Sequence, residues 1–210
     1  MPIDLPNHNL TECWGELLDN VSSSGFNKGK AVNLSRVTDP IWKFNIRTGL
    51  LDLSTEKIWS SWKKSLNGGF TSFLAYDVKR QYLGGYPNAT QPSDVYATWN
   101  GTAAVDDVGN SGQLTVSQLP ANYQAKIGDR VALEQSGYIG YYEILEDATA
   151  DGSGDLIVTV SPFLHTGVFD ENAIARFWRP KCKLIIDWQS YVESGRQEPS
   201  PISFVGYQIL

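Results

Sequence analysis

Tyr138-Ile139-Gly140-Tyr141-Tyr142-Glu143-Ile144-Leu145 and Leu156-Ile157-Val158-Thr159-Val160, separated by the Gly-rich stretch 147–155, decide how the chain is read. In the second run Leu156, Val158 and Val160 face one way and Ile157, Thr159 and Ser161 the other, the period-two alternation of a strand. Asp151-Gly152-Ser153-Gly154 is turn chemistry, with glycines supplying positive φ, so the two runs pair as a hairpin. Upstream, Leu114-Thr115-Val116 alternates, Leu119-Pro120-Ala121 turns the chain, and Ile127-Gly128-Asp129-Arg130 bends into Val131-Ala132-Leu133. Five short strands in about sixty residues predict a small closed or half-closed β-barrel in the middle of the chain.

Outward from that segment the pattern changes on both sides. Residues 31–35 and 41–46 carry apolar alternation around the Asp39-Pro40 turn. One helix is predicted over residues 55–66: Ser54 as N-cap, Leu53 and Ile58 as a hydrophobic staple, and Ile58, Trp62 and Leu66 on one face beside Trp59. Lys63 and Lys64 suit its C-terminal dipole, and Gly68-Gly69 ends it. A strand follows at 70–76, then an aperiodic Gly/Pro/Asn-rich arm at 77–101, a length that in compact domains marks a functional loop or a crossover. In the tail, Cys182, Leu184, Ile186 and Trp188 alternate with Lys181, Lys183, Ile185 and Asp187. The final run, 202–210, is apolar on both faces: Ile202 and Phe204 on one, Val205, Tyr207 and Ile209 on the other, as in a strand covered on both sides.

Composition supports a mainly β protein. The 210 residues include 7 Trp, 10 Tyr and 8 Phe, only 19% are charged, and the formal net charge is −6. Aromatic and β-branched side chains fit pleated surfaces. The acidic balance argues against a duplex-DNA binder, no apolar run reaches the length of a membrane helix, and the start MPIDLPNHNL lacks the pattern of a signal peptide. Cys13 and Cys182 are too few for a disulfide framework and read as buried free thiols; with His8 and His165 they match no zinc spacing.

No enzyme constellation emerges. Residues 147–155 place oxygens as in the front half of a calcium loop, but Val158 stands where the bidentate Glu belongs, and a hairpin turn is the simpler reading. Gly109-Asn110-Ser111-Gly112 lacks the spacing of a nucleophile elbow, and Asp106-Asp107 reads as a solvated loop. Asn9, Asn33, Asn88 and Asn100 head formal glycosylation sequons that mean little without a secretory signal. One basic–aromatic run, Arg176-Phe177-Trp178-Arg179-Pro180-Lys181-Cys182-Lys183, interrupts the acidic background. It is either the exposed side of a strand or a surface for an acidic partner, with Arg176, Trp178 and Arg179 as the contact residues.

The stretch 58–77, in which Ile58, Trp59, Trp62 and Leu66 lead to Gly68-Gly69 and on through Phe70 and Phe73 to Asp77, resembles a segment of distal tail proteins of long-tailed, non-contractile bacteriophages. Leu119-Pro120-Ala121, Ile127-Gly128-Asp129-Arg130, Tyr141-Tyr142-Glu143-Ile144, the 150–154 turn leading to Val160-Ser161-Pro162, and the closing strand 204–210 are similar too. The likeness runs from about residue 52 onward; residues 1–50 match only as generic strands. It implies a structural virion protein and no enzyme: a tail-tip hub forming a ring, typically a hexamer, between tail tube and tip. The implied partners are further copies of the chain, the tube protein and the tip proteins, with DNA only as passing cargo, and no cofactor or metal is expected. The implied fold is mainly β: a β-sandwich hub domain with one packed helix (1–96 and 170–210) and an inserted, small OB-like β-barrel (97–169). Such a protein would be made in the host cytoplasm and reside in the virion. Interface candidates are Phe204, Val205, Tyr207, Ile209, Tyr82 and Tyr86. The alternatives are another minor tail protein, such as a tube terminator, and a carbohydrate-binding β module, which Trp42, Trp99 or Trp178 on an exposed loop would favour.

Overall fold

The computed structural model describes residues 1–23, 34–81, 83–109, 112–193 and 199–210. The chain is mainly β. Its first part holds β1 (Ile3–Asp4), β2 (Leu10–Leu18), β3 (Val21–Ser23), β4 (Leu34–Arg36), β5 (Ile41–Thr48), helix α1 (Leu53–Ser65) and β6 (Phe73–Tyr76). The middle holds β7 (Thr102–Val108), β8 (Gln113–Ser117), β9 (Gln124–Ala125), β10 (Arg130–Gln135), β11 (Tyr138–Ile144), β12 (Ala148–Thr149), β13 (Leu156–Ser161) and β14 (Ile174–Arg176). The chain ends with β15 (Lys181–Val192) and β16 (Ser203–Gln208).

Six of the middle strands close a barrel in the order β10-β11-β13-β8-β7-β14, every neighbouring pair antiparallel. Closure leaves no edge strand, and the inward residues Val105, Leu114, Val116, Val131, Leu133, Tyr142, Val158 and Ala175 fill the interior. Of the hairpin expected across 147–155, Ile144 faces Val160 and Glu143 faces Ser161. Residues 156–159 pair instead with β8, and residues 148–149 form β12 against β9, so the segment is not a simple hairpin turn. The sixth strand, β14, completes the ring beyond residue 169, where the sequence pattern placed the end of the barrel segment.

The outer strands form one six-stranded sheet, β1-β6-β15-β16-β5-β2, antiparallel except for the parallel β1–β6 edge. β6 and β15 are hydrogen-bonded neighbours, with Lys181 opposite Tyr76, although the whole barrel lies between them in sequence. The barrel is therefore an excursion that leaves the sheet and re-enters it one strand away. β16 is central, flanked by β15 and β5, as its apolar character demands.

One face of this sheet is closed. Cys13, Phe44, Ile46, Phe73, Leu184 and Phe204 share it by register, and two bodies cover it side by side. Helix α1 lays Trp59, Trp62 and Leu66 on one end, where Trp62 meets Phe73 and Phe204 at ring-centroid distances of 5.3 and 5.5 Å. The barrel covers the other end with Ala132 and Tyr141; the Tyr141 ring sits edge-on to Trp42 (5.4 Å) and Phe44 (5.6 Å). Gly206 permits this crowding, because a Cβ there would lie 2.9 Å from the Phe73 ring.

Local details depart from the sequence expectation. The helix starts at Leu53 because Asp52, not Ser54, is the cap: its carboxylate accepts the Thr55 N–H at 2.7 Å and the Ser54 hydroxyl at 2.9 Å. A carboxylate both caps the amides and complements the dipole, which a serine hydroxyl does less well. Leu53 and Ile58 are exposed, so no staple is buried, and the covered stripe is Trp59, Trp62 and Leu66. Phe70 is 91% exposed, outside the strand, which begins at Phe73. Of the strand expected at 31–35, residues 31–33 lie outside the described residues; β4 starts at Leu34.

Tyr141→Ala removes the ring that joins barrel to sheet and opens a cavity against Trp42 and Phe44. We expect a loss of about 3–5 kcal/mol of stability by urea unfolding, in line with aromatic truncation in packed cores. A loss below about 1 kcal/mol would show that the seam carries little of the stability.

Candidate functional site

The arm between β6 and β7 is ordered along the barrel by carboxylates. Asp129, buried at the start of β10, accepts the Gly84 N–H at 2.8 Å and the Lys126 N–H at 2.9 Å. Burial holds its carboxyl above the ordinary range, and the two amides partly offset that cost. Tyr86 stacks on Tyr123 (5.6 Å, 27°), and its phenol oxygen accepts the Gln124 N–H. Farther along, Asp94 accepts the backbone N–H of Thr90 and of Gln91 and the Thr90 hydroxyl, closing a tight turn around Pro92.

The basic–aromatic run lies where the barrel returns to the sheet. Arg176 is in β14, and Arg179 follows in the left-handed region (φ 43°) just before β15. Arg176, Trp178, Arg179 and Lys181 line a groove of about 400 Å³ with Leu74, Glu134 and Ile139. Much of the positive charge is already neutralised. Arg176 makes a two-point contact with Glu134, Nε to Oε1 at 2.5 Å and Nη2 to Oε2 at 3.1 Å, and Lys181 pairs with Asp4 at 2.6 Å. The Arg179 guanidinium lies 5.6 Å from the Tyr76 ring and 5.9 Å from the Trp178 ring. Of the three candidates, Arg176 is thus occupied within the chain, while Arg179 remains the cation with aromatic rather than carboxylate neighbours.

The second face of the six-stranded sheet is the larger surface. Register sets two cross-strand rows on it, Trp14–Asn45–Val205–Asp187 and Glu16–Lys43–Tyr207–Ile185, all half-buried. Lys43 and Glu16 pair at 2.7 Å; this bond lowers the Glu16 carboxyl and raises the Lys43 amine relative to their ordinary values. A shallow depression of about 480 Å³ opens beside the rows between β5 and β16.

The interface candidates divide on this geometry. Val205 and Tyr207 stand on the open face and Ile209 follows them, half-buried. Phe204 is 2% exposed and belongs to the core, stacked with Tyr191 at 5.6 Å and packed on Trp62, so its side chain is unavailable to a partner. Tyr86 is likewise spent on fastening the arm to Tyr123. Tyr82 lies outside the described residues, as do Asn110 and Ser111 of the glycine-flanked serine. Trp42 and Trp99 are buried and Trp178 is half-buried, so none of the three offers an open ring face of the kind a sugar module on exposed tryptophans needs.

The residues weighed above for catalytic or metal chemistry make structural contacts. Among the described residues no group of three His, Cys, Asp or Glu side chains could hold an ion. In the 147–155 loop the carboxylates turn to separate tasks: Asp147 accepts the Ile127 N–H and pairs with Lys126, and Asp151 accepts the Ser153 and Asp155 amides. His165 Nδ1 lies 3.2 Å from the Tyr142 hydroxyl, and the His8 carbonyl accepts the Trp59 indole N–H. Cys13 and Cys182 are free and buried, and burial pushes both thiols well up, away from thiolate reactivity. Among the described residues no helix is long and apolar enough to cross a membrane.

No protein-family model and no curated protein matches this chain. The geometry alone therefore bears on function. The sequence had no signal for the open face as a unit, because it combines every second residue of four strands far apart in the chain.

The Asp94 turn gives a pH test. The Thr90 N–H, its largest influence, and the Gln91 and Thr90 side chains hold the Asp94 carboxyl below the ordinary carboxylate range. A lowered value means the carboxylate's contribution to the folded arm is present at neutral pH and is lost as pH falls through that value. The amide resonances of Thr90 and Gln91 should titrate together with a midpoint below about 3.9. A midpoint at or above it would contradict the hydrogen-bonded turn.

Proposed function

We propose that this protein is a structural virion component, a hub subunit that assembles as a ring at the distal end of a bacteriophage tail. The observation that carries the reading is the open, half-buried sheet face with Val205 and Tyr207 at its centre. It is a regular surface on strands whose opposite side forms the core, with Lys79 reaching over it at Trp14. In this reading the sheet with α1 corresponds to the sandwich-type hub domain, and the barrel to an OB-like insertion.

Further features support assembly over catalysis. A cyclic ring joins two different patches on neighbouring copies. The open face offers one patch. The antiparallel β3–β4 pair, with Val21, Leu34 and the adjoining Val37 exposed, offers a second. Aromatic and aliphatic side chains framed by ion pairs such as Lys43–Glu16 have the composition of interface cores with polar rims. In a ring of this kind the net charge of −6 would repel passing DNA and keep it from adhering to the lumen. Partners on this reading are the tail tube and tip proteins, and the protein's place is the virion.

The test is the mass of the purified protein by light scattering, followed by negative-stain imaging. We expect a closed oligomer, a whole multiple of 23.3 kDa, six copies on the family pattern. Val205→Asp combined with Tyr207→Asp should reduce it to monomer with unchanged far-ultraviolet circular dichroism. A parent protein that stays monomeric at every concentration, or a ring indifferent to both substitutions, would overturn the role given to this face.

A further inference from the structure

The outer wall of the barrel carries a second concavity, remote in sequence from the open sheet face. It measures about 420 Å³, within the range of small-molecule sites, and lies between the end of the arm and the outside of the β7–β14 pair. Its depth comes from side-chain size. Ala104, opposite Ile174 in the register, leaves a gap in the outward row of the barrel. Tyr96 on one side and Gln118 on the other rise around it.

The walls are fixed before anything binds. The Trp99 indole donates to the Thr102 carbonyl at 2.8 Å, and Asn100 Oδ1 accepts both the Thr102 N–H (3.0 Å) and its hydroxyl (2.7 Å). Asn100 therefore keeps its amide nitrogen as a free donor among the described residues. Gly101 between them has φ 89°, and a Cβ there would fall 2.4 Å from the Trp178 Cβ, so the chain can pass only as glycine. On the opposite wall Gln118 is held in the left-handed region at φ 65°, a conformation that side chains other than Gly, Asn and Asp seldom adopt and that clusters at binding sites.

The chemistry of the lining is selective. It contains no Asp, Glu, Lys, Arg or His. What it offers instead is amides, threonine hydroxyls and a phenol, groups that donate and accept, beside apolar surface from Ile174 and from a Tyr96 that is 57% exposed. A ligand matching this set is uncharged, carries many hydroxyls, and has one apolar face to lie on an aromatic ring. Stacked nucleobases fit less well, because sites for single-stranded nucleic acid add a positively charged track for the phosphates, and none lines this cavity.

We propose that this pocket is a binding site for a neutral saccharide unit. The site is independent of ring formation, since it uses neither Val205 nor Tyr207 nor the sheet.

The test titrates the full-length protein with methyl glucoside, methyl galactoside, N-acetylglucosamine, maltose, lactose and chitobiose. Glucuronate, glucose 6-phosphate and an oligothymidylate serve as charged counterparts, with tryptophan fluorescence and calorimetry as readouts. At least one neutral sugar should bind saturably, with a dissociation constant of about 10 mM or tighter, and its charged counterparts at least about tenfold more weakly. Tyr96→Ala should weaken that binding by about tenfold or more, and Ala104→Leu, which fills the floor, should abolish it. Both variants should keep the parent's melting temperature and its mass by light scattering, which separates this site from the assembly surface. The proposal is overturned if no neutral sugar saturates the protein, if the oligothymidylate binds more tightly than every sugar, or if binding survives both substitutions.

Discussion

The packing of the Tyr141 ring against Trp42 and Phe44 is the contact on which the architecture rests. It is the place where a closed barrel, self-sufficient in its own backbone hydrogen bonds, is locked to a sheet that is not. A barrel without edges has no strand to offer a neighbour, so it can be held only through side chains. The Trp42 indole reinforces the seam by donating to the Tyr141 carbonyl at 2.8 Å. Arg130 covers it, its guanidinium 4.3 Å above the Trp42 ring and paired with Glu143. A buried arginine costs desolvation that only pairing and aromatic contact offset, so this arrangement favours one definite docking of barrel on sheet over many loose ones.

From that seam the two halves of the closed face follow. The barrel takes one end of the sheet, so the helix has only the other end to cover, and three turns with two tryptophans suffice. Because both covering bodies sit on the same face, the opposite face is left to solvent or to a neighbour. Its mixed rows of Trp14, Val205, Tyr207 and Ile185 among Lys43, Glu16, Asn45 and Asp187 suit either condition, being polar enough for an isolated subunit and apolar enough to be covered. Five acidic side chains, Asp52, Asp94, Asp129, Asp147 and Asp151, are engaged in turns and caps.

Alternation made the long strands legible. The inward set of β15 and the two-faced character of β16 could be read directly, because each has enough residues for a period to show. β14 could not: three residues, Ile174-Ala175-Arg176, carry no period, and only closure of the ring reveals them as a strand. The Asp52 cap was missed because Ser54 satisfied the same local rule two residues later, and the choice depends on where the chain enters the sheet. Phe204 was read correctly as buried-type and then misassigned to an interface, since a sequence cannot say whether an apolar side chain is covered by its own helix or by another molecule. The saccharide pocket had no linear signature at all. Its floor is an alanine and its walls come from three separate segments.

The excursion between β6 and β15 bears on how such a protein can change over generations. Tyr76 and Lys181 are opposed across one strand spacing, about 4.8 Å, so the sheet closes whether or not anything is threaded between them. Long insertions at such a point cost little in chain entropy. The barrel is in that sense a cassette, open to exchange for another while the sheet and its exposed face stay constant. The exchange has one condition, written in Trp42 and Phe44: whatever replaces the barrel has to bring an aromatic ring back to the same spot, or leave two large rings facing water.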